Sequence, residues 1–150
     1  MTPLAHTGAG RTGAPESDIR LTLPARPENI AVVRHMLGAL GQAIELPPAV
    51  VDDMRLAVTE ACTNVVRHAY PDRAGTFEVV VRPEEERLEV VVADSGRGMG
   101  PSPDRRGPGL GLPLIAALAD SFDIDDSVSS GSRLVMSFAR AGHAPAMRAL

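Results

Sequence analysis

"TEACTNVVRHAY", Thr59 to Tyr70, sets Glu60 and Asn64 four residues apart inside an otherwise apolar helical pattern. At about 100° per residue, Val51, Met54, Val58, Ala61, Cys62, Val65 and Ala69 fall on one face of that helix. Glu60 and Asn64 lie on the opposite face, with Arg67 and His68 beside them. Taken alone, a single Glu/Asn pair at this spacing reads as solvated surface. What the rest of the chain brings to the polar stripe decides between surface and site.

The chain has 150 residues, enough for one domain with a real core and too few for two ordinary ones. Only four residues are aromatic, so the core must be built from Val, Leu, Ile, Ala and Met. All 15 basic residues are arginine, which excludes any chemistry that requires lysine, the phosphate-binding lysine of a P-loop included. A net charge of −4 with scattered arginines gives no general attraction to nucleic acid. Cys62 is the sole cysteine and falls on the apolar side of its helix, where it reads as a buried structural thiol. No run approaches the roughly 18 apolar residues of a membrane span. The N-terminal "MTPLAHTGAGRTGAPESD" lacks the apolar core of a signal peptide, and the reading is a soluble cytoplasmic protein.

Residues 1–17 read as a disordered tail, residues 18–140 as one domain, and residues 141–150 as a loose C-terminal tail. "DIRLTL" alternates Ile19, Leu21 and Leu23 with polar residues, the pattern of a half-buried strand. "ENIAVVRHMLGALG" has helical spacing and a stop at Gly41. A second helix starts near Pro48 and runs to about Ala69. "TFEVVVRP" and "RLEVVVAD", joined by "PEEE", predict an antiparallel hairpin. "LPLIAALAD" predicts a short helix, and "SFDIDDS" and "GSRLVMSFAR" two closing strands around a turn at Ser129 to Gly131. The order β-α-α-β-β-α-β-β needs one sheet face for the helices to cover, which gives a two-layer α/β sandwich of the α+β class. The other sheet face must then be amphipathic or covered by a partner.

Two glycine-rich segments complete the polar stripe. "VVVADSGRGM" ends a strand with Asp94, followed by Gly96 and Gly98. An aspartate there caps a turn, or accepts a hydrogen bond from an exocyclic amine such as that of adenine. The glycines let backbone approach the ring, and Met99 supplies a polarisable wall. "GPGLGLPLI" places Gly107, Gly109, Leu110 and Gly111 at a helix entry. Glycines at such an entry serve as simple capping, or present free N–H groups and the positive helix end to phosphate. Together the segments fit one task, with Asp94 reading the base and the Gly107–Gly111 loop holding phosphates. Asn64 offers an oxygen to magnesium, and Glu60 orients or deprotonates a nucleophile attacking the γ-phosphate.

These segments resemble the ATPases that include gyrase, Hsp90, histidine kinases and MutL. "EACTNVVRHAY" is similar to their N box, "DSGRGM" to the first glycine box and "GPGLGL" to the second, and "GSRLVMSF" sits where a further glycine-containing motif falls. The resemblance spans about Leu21 to Arg140 and implies the family's mostly antiparallel mixed sheet covered by helices on one face. With "LPARPENIAVVRHML" it points to the small anti-sigma-factor serine kinases. That branch implies a homodimer that binds a sigma factor and uses ATP with Mg2+ to phosphorylate a serine or threonine of an anti-anti-sigma (STAS-type) protein. By resemblance Glu60 is the catalytic base, Asn64 the magnesium ligand and Asp94 the adenine contact, with Gly96, Gly98, Gly109 and Gly111 shaping the pocket. His68 positions the helix end.

The stretch from Gly100 to Pro108 is shorter than the family's flexible lid, so γ-phosphate contacts are missing or come from Arg105 or Arg106. A nucleotide-dependent regulator without catalysis therefore stands as one alternative. The other is a histidine-kinase-type catalytic domain acting in trans. As an acceptor in this chain, His35 in "VRHML" lacks the acidic neighbour that such a histidine has.

Overall fold

The computed structural model describes residues 17–96, 111–125 and 130–142. Its elements are β1 (Ile19–Pro24), α1 (Pro27–Ala43), α2 (Pro48–His68), β2 (Thr76–Pro83), β3 (Arg87–Asp94), α3 (Gly111–Leu118), β4 (Ser121–Ile124) and β5 (Ser132–Ala139). The strands form one sheet in the order β1-β2-β3-β5-β4. Every pairing among them is antiparallel. The element order and the two-layer α+β sandwich are those the sequence predicts.

Period-two alternation explains the layers. Leu21, Val79, Val92 and Leu134 share one register row, as do Val81, Val90 and Met136 beside them. These side chains meet Val33, Leu37, Met54, Val58 and Cys62 from the helices in one core. The outer sheet face is amphipathic, as expected. Val80 and Val91 are buried there, and around them run the ion pairs Arg20–Glu78, Arg82–Glu89 and Arg133–Asp125. Arg82 also reaches Asp18, and Glu89 first, then Asp18, holds its guanidinium above the ordinary arginine value.

Two boundaries differ from the sequence reading. Gly41 does not stop α1, which continues to Ala43. Gly41 is instead buried at the α1–α2 contact, where a Cβ would lie 2.5 Å from Val51 Cγ2. The turn is made by Glu45 at φ 60°, with the Leu46 N–H returning to the Gly41 carbonyl at 2.9 Å. In the closing strands, β4 ends at Ile124, although the Asp125 N–H still donates to the Arg133 carbonyl at 2.7 Å. Ser129 and both expected tails, apart from Ser17 and residues 141–142, lie outside the described residues.

Cys62 is fully buried, and that burial pushes its thiol up from 9.0 to about 12. The folded chain thus keeps a proton that the unfolded chain releases, so this contribution to stability is intact below pH 9.0 and is lost as pH rises toward about 12. Comparing urea unfolding of the wild type and Cys62→Ala across that alkaline range should show a shallower decline in the variant.

Candidate functional site

The polar stripe of α2 is set by what occupies its other sides. Met54, Ala57, Val58, Ala61, Cys62 and Val65 are buried toward the sheet. On one flank α1 packs alongside, with Arg34 Nη1 donating to Thr59 Oγ1 at 2.9 Å. A rotation of about 100° per residue carries Glu60 and Asn64 to the opposite flank. Both are half-buried, and among the described residues neither has a hydrogen bond or ion pair. A free carboxylate and a free amide oxygen therefore stand one helical turn apart.

Asp94 ends β3 directly opposite Ser132, which begins β5. Both belong to the alternating set that faces the helices. The Ser132 hydroxyl donates to Asp94 Oδ2 at 2.6 Å, and the Gly96 N–H donates to Oδ1 at 2.8 Å. A carboxylate has about four lone-pair positions, so capacity remains to accept from an amine-bearing ring. Preceding Ser132, Gly131 has φ 85°, and a Cβ on it would lie 2.0 Å from the Asp94 carbonyl. Glycine is required for β5 to enter beside Asp94.

The strap after Asp94 is tied to the end of α2. A Cβ on Gly96 would lie 2.1 Å from the Ala69 carbonyl, so backbone meets backbone there. The Ser95 N–H donates to the Tyr70 hydroxyl at 2.9 Å, and that hydroxyl donates to the Thr76 carbonyl at 2.6 Å. Arg73 lies over the Tyr70 ring, 5.0 Å from its centroid, and donates to the Ser95 carbonyl at 3.3 Å. Ala69 is five residues beyond Asn64, about 7.5 Å along a helix axis. The fold thus brings Asp94 and Gly96 to the end of the helix that carries Glu60 and Asn64.

Neither Ser132 nor Tyr70 has a role in the sequence reading. The signals were a serine directly after a glycine at a strand start and the tyrosine closing "RHAY". Gly98, Met99, Gly107, Gly109, Leu110, Arg105, Arg106 and the Gly100–Pro108 stretch lie outside the described residues. Gly111 opens α3, which packs against α2. His68 is the last residue of α2, and with Arg67 it places basic groups at the negative helix end. A cavity of about 320 Å³ lies at the other end of α2, lined by Pro47, Asp53, Leu118 and Phe138 among others, and none of the predicted site residues borders it. Among the described residues, no group of three or more His, Cys, Asp or Glu could hold a metal ion by itself. No helix there is long and apolar enough to cross a membrane.

A polar-striped helix, a carboxylate fixed at a strand end and a glycine strap between them define a class. Residues 23–138 match the histidine kinase-like ATPase domain, and the chain belongs to that family. Its place is among the anti-sigma-factor serine kinases of the family, for which ATP use and protein-serine kinase activity are general. It is 35% identical over 121 residues to the serine-protein kinase RsbW of Bacillus cereus, covering 71% of this chain and 76% of that one. It is 34% identical over 141 residues to RsbW of Halalkalibacterium halodurans, covering 84% and 85%. The fold is similar to the RsbU and RsbW domains of Rv1364c from Mycobacterium tuberculosis, with TM-score 0.66 at 22% identity over 87% of this chain. This chain spans about a third (34%) of that longer chain. A histidine kinase domain from Erythrobacter litoralis shares the fold at TM-score 0.52 and 17% identity, over 78% of this chain and 61% of that one.

Tyr70→Phe keeps the ring and removes both hydroxyl bonds. The expected cost is about 1 kcal/mol in denaturant unfolding, with faster hydrogen exchange at the Ser95 amide.

Proposed function

We propose that the chain binds ATP with Mg2+ between α2 and the Asp94 strap, phosphorylates a serine or threonine of an anti-anti-sigma (STAS-type) protein, and sequesters a sigma factor. The observation that carries this reading is the Asp94 carboxylate, fixed by Ser132 and Gly96 beside the end of the helix bearing Glu60 and Asn64. Asp94 accepts a hydrogen bond from the adenine amino group, and Gly96, packed against the Ala69 carbonyl, holds the strap in place beside it. Asn64, whose amide is unengaged, suits a magnesium ligand, and one protein oxygen is sufficient for an ion that otherwise keeps water and phosphate. The metal, when bound, offsets the negative charge of the phosphates. The homodimer and the cytoplasmic location follow from the family resemblance alone.

In the transfer, the hydroxyl oxygen of the partner attacks the γ-phosphorus while Glu60 takes the hydroxyl proton. The bond from the γ-phosphorus to the bridging oxygen breaks, ADP leaves with the electron pair, and the partner becomes a phosphoester. Glu60 fits this role because no cation neutralises it among the described residues and its helix directs it away from α1.

Transfer of γ-phosphate to a purified anti-anti-sigma protein tests the reading. Glu60→Ala should slow transfer about a hundredfold or more and leave ATP affinity nearly unchanged. Equal transfer by variant and wild type overturns the base assignment. Asp94→Asn should weaken ATP binding in calorimetry by about tenfold or more, because an amide nitrogen turned toward the adenine amine cannot accept from it. Wild-type chain that binds ATP and transfers nothing would instead be a nucleotide-dependent regulator.

A further inference from the structure

The cavity at the start of α2 holds a carboxylate that the fold does not use. Its volume is about 320 Å³, at the lower end of the roughly 300–1,000 Å³ of small-ligand pockets. Its walls are apolar, with Pro47 and Val50 at the start of α2, Leu118 at the end of α3, Phe138 on β5 and Ala141 beyond it. Val50 and Phe138 are buried. Asp53 and Asp120 line the same space, and no arginine or histidine does so among the described residues.

The Asp120 carboxylate is fixed, its Oδ2 accepting the Ala139 N–H at 2.6 Å. Asp53 is half-buried and, among the described residues, has no hydrogen bond or ion pair. It stands in the second turn of α2, past the first turn in which the positive helix end favours an anion. Arg140, which follows β5, is drawn to the β2–β3 turn, where it donates to the Glu84 carbonyl at 2.8 Å.

The chemistry of the space selects its occupant. A neutral apolar molecule would strip water from Asp53 and return no hydrogen bond, and an anion would meet like charge. A cation restores a charge-assisted hydrogen bond, and the apolar walls bury the body that carries it.

We propose that this cavity is a binding site for a small organic cation, an ammonium or guanidinium group on an apolar body. The charged head sits on Asp53 and the body lies against Val50, Leu118 and Phe138. Asp53 is eleven residues before Asn64, about 16.5 Å along the helix axis. The site is therefore separate from the proposed nucleotide site and does not depend on that reading. Its occupant touches α2 and α3 at the ends remote from Asn64 and Gly111.

The test titrates the full, isotope-labelled chain with phenethylamine, phenethyl alcohol and phenylacetate, which share one apolar ring and differ in the charge of the head. In NMR spectra, phenethylamine should shift the amides of Val50, Asp53, Leu118 and Gly142 saturably. The alcohol and the carboxylate should bind at least tenfold more weakly. Asp53→Asn should weaken the amine about tenfold and leave the alcohol nearly unchanged, and excess ATP with Mg2+ should leave the wild-type shifts in place. No saturable shift at these amides, or equal binding of amine and carboxylate, overturns the proposal. So does full amine affinity in the variant, or loss of the shifts when ATP is added. Should the variant fail to fold, the comparison of the three probes on wild type decides alone.

Discussion

The Asp94 carboxylate, held between a hydroxyl from the neighbouring strand and an amide two residues on, is the constraint around which this end of the molecule is arranged. Its position requires β3 and β5 to be paired with Asp94 opposite Ser132. A slip of one residue in either strand would turn that strand's side chain to the outer face and separate the pair. The pairing in turn requires Gly131, since any side chain there would collide with the Asp94 carbonyl. Gly96 and Tyr70 then carry the constraint from the sheet to the helix layer. Sheet and helix are therefore joined at this end by polar contacts with fixed directions as well as by apolar packing.

Much of the architecture was legible because periodicity reports burial directly. α2 is the clearest case, with its apolar residues at helical spacing on the sheet side and Glu60 and Asn64 turned away. The β2–β3 hairpin was equally plain, since "TFEVVVRP" and "RLEVVVAD" are each too β-branched to prefer helix. Gly41 misled for a physical reason. Glycine at a helix end has two uses, a left-handed turn or close packing, and sequence does not distinguish them. Here it is packed on Val51, and Glu45 takes the strained turn. Ser132 and Tyr70 escaped notice because their partners, Asp94 and Ser95, are distant in the chain and meet only once the strands are in register.

The two sides of the sheet show how differently polar groups are used. On the outer face, arginines and carboxylates pair across strands at partly exposed positions, where each pair adds little stability but keeps the face wetted. On the inner side, polar groups are few and each has a defined geometry, Ser132 at 6% exposure being the buried example among the described residues. α2 divides the helix layer in the same way. Its two flanks differ in chemistry, with unengaged carboxylate and amide on one and the Arg34–Thr59 hydrogen bond to α1 on the other, and the apolar face between them fixes their separation.

The buried Cys62 bears on what kind of signal the molecule can receive. Peroxide and disulfide exchange act on accessible thiolates, and this sulfur is neither ionised nor reachable in the folded state. With no second cysteine in the chain, there is also no intramolecular disulfide to form. Thiol oxidation therefore has no direct purchase on this fold.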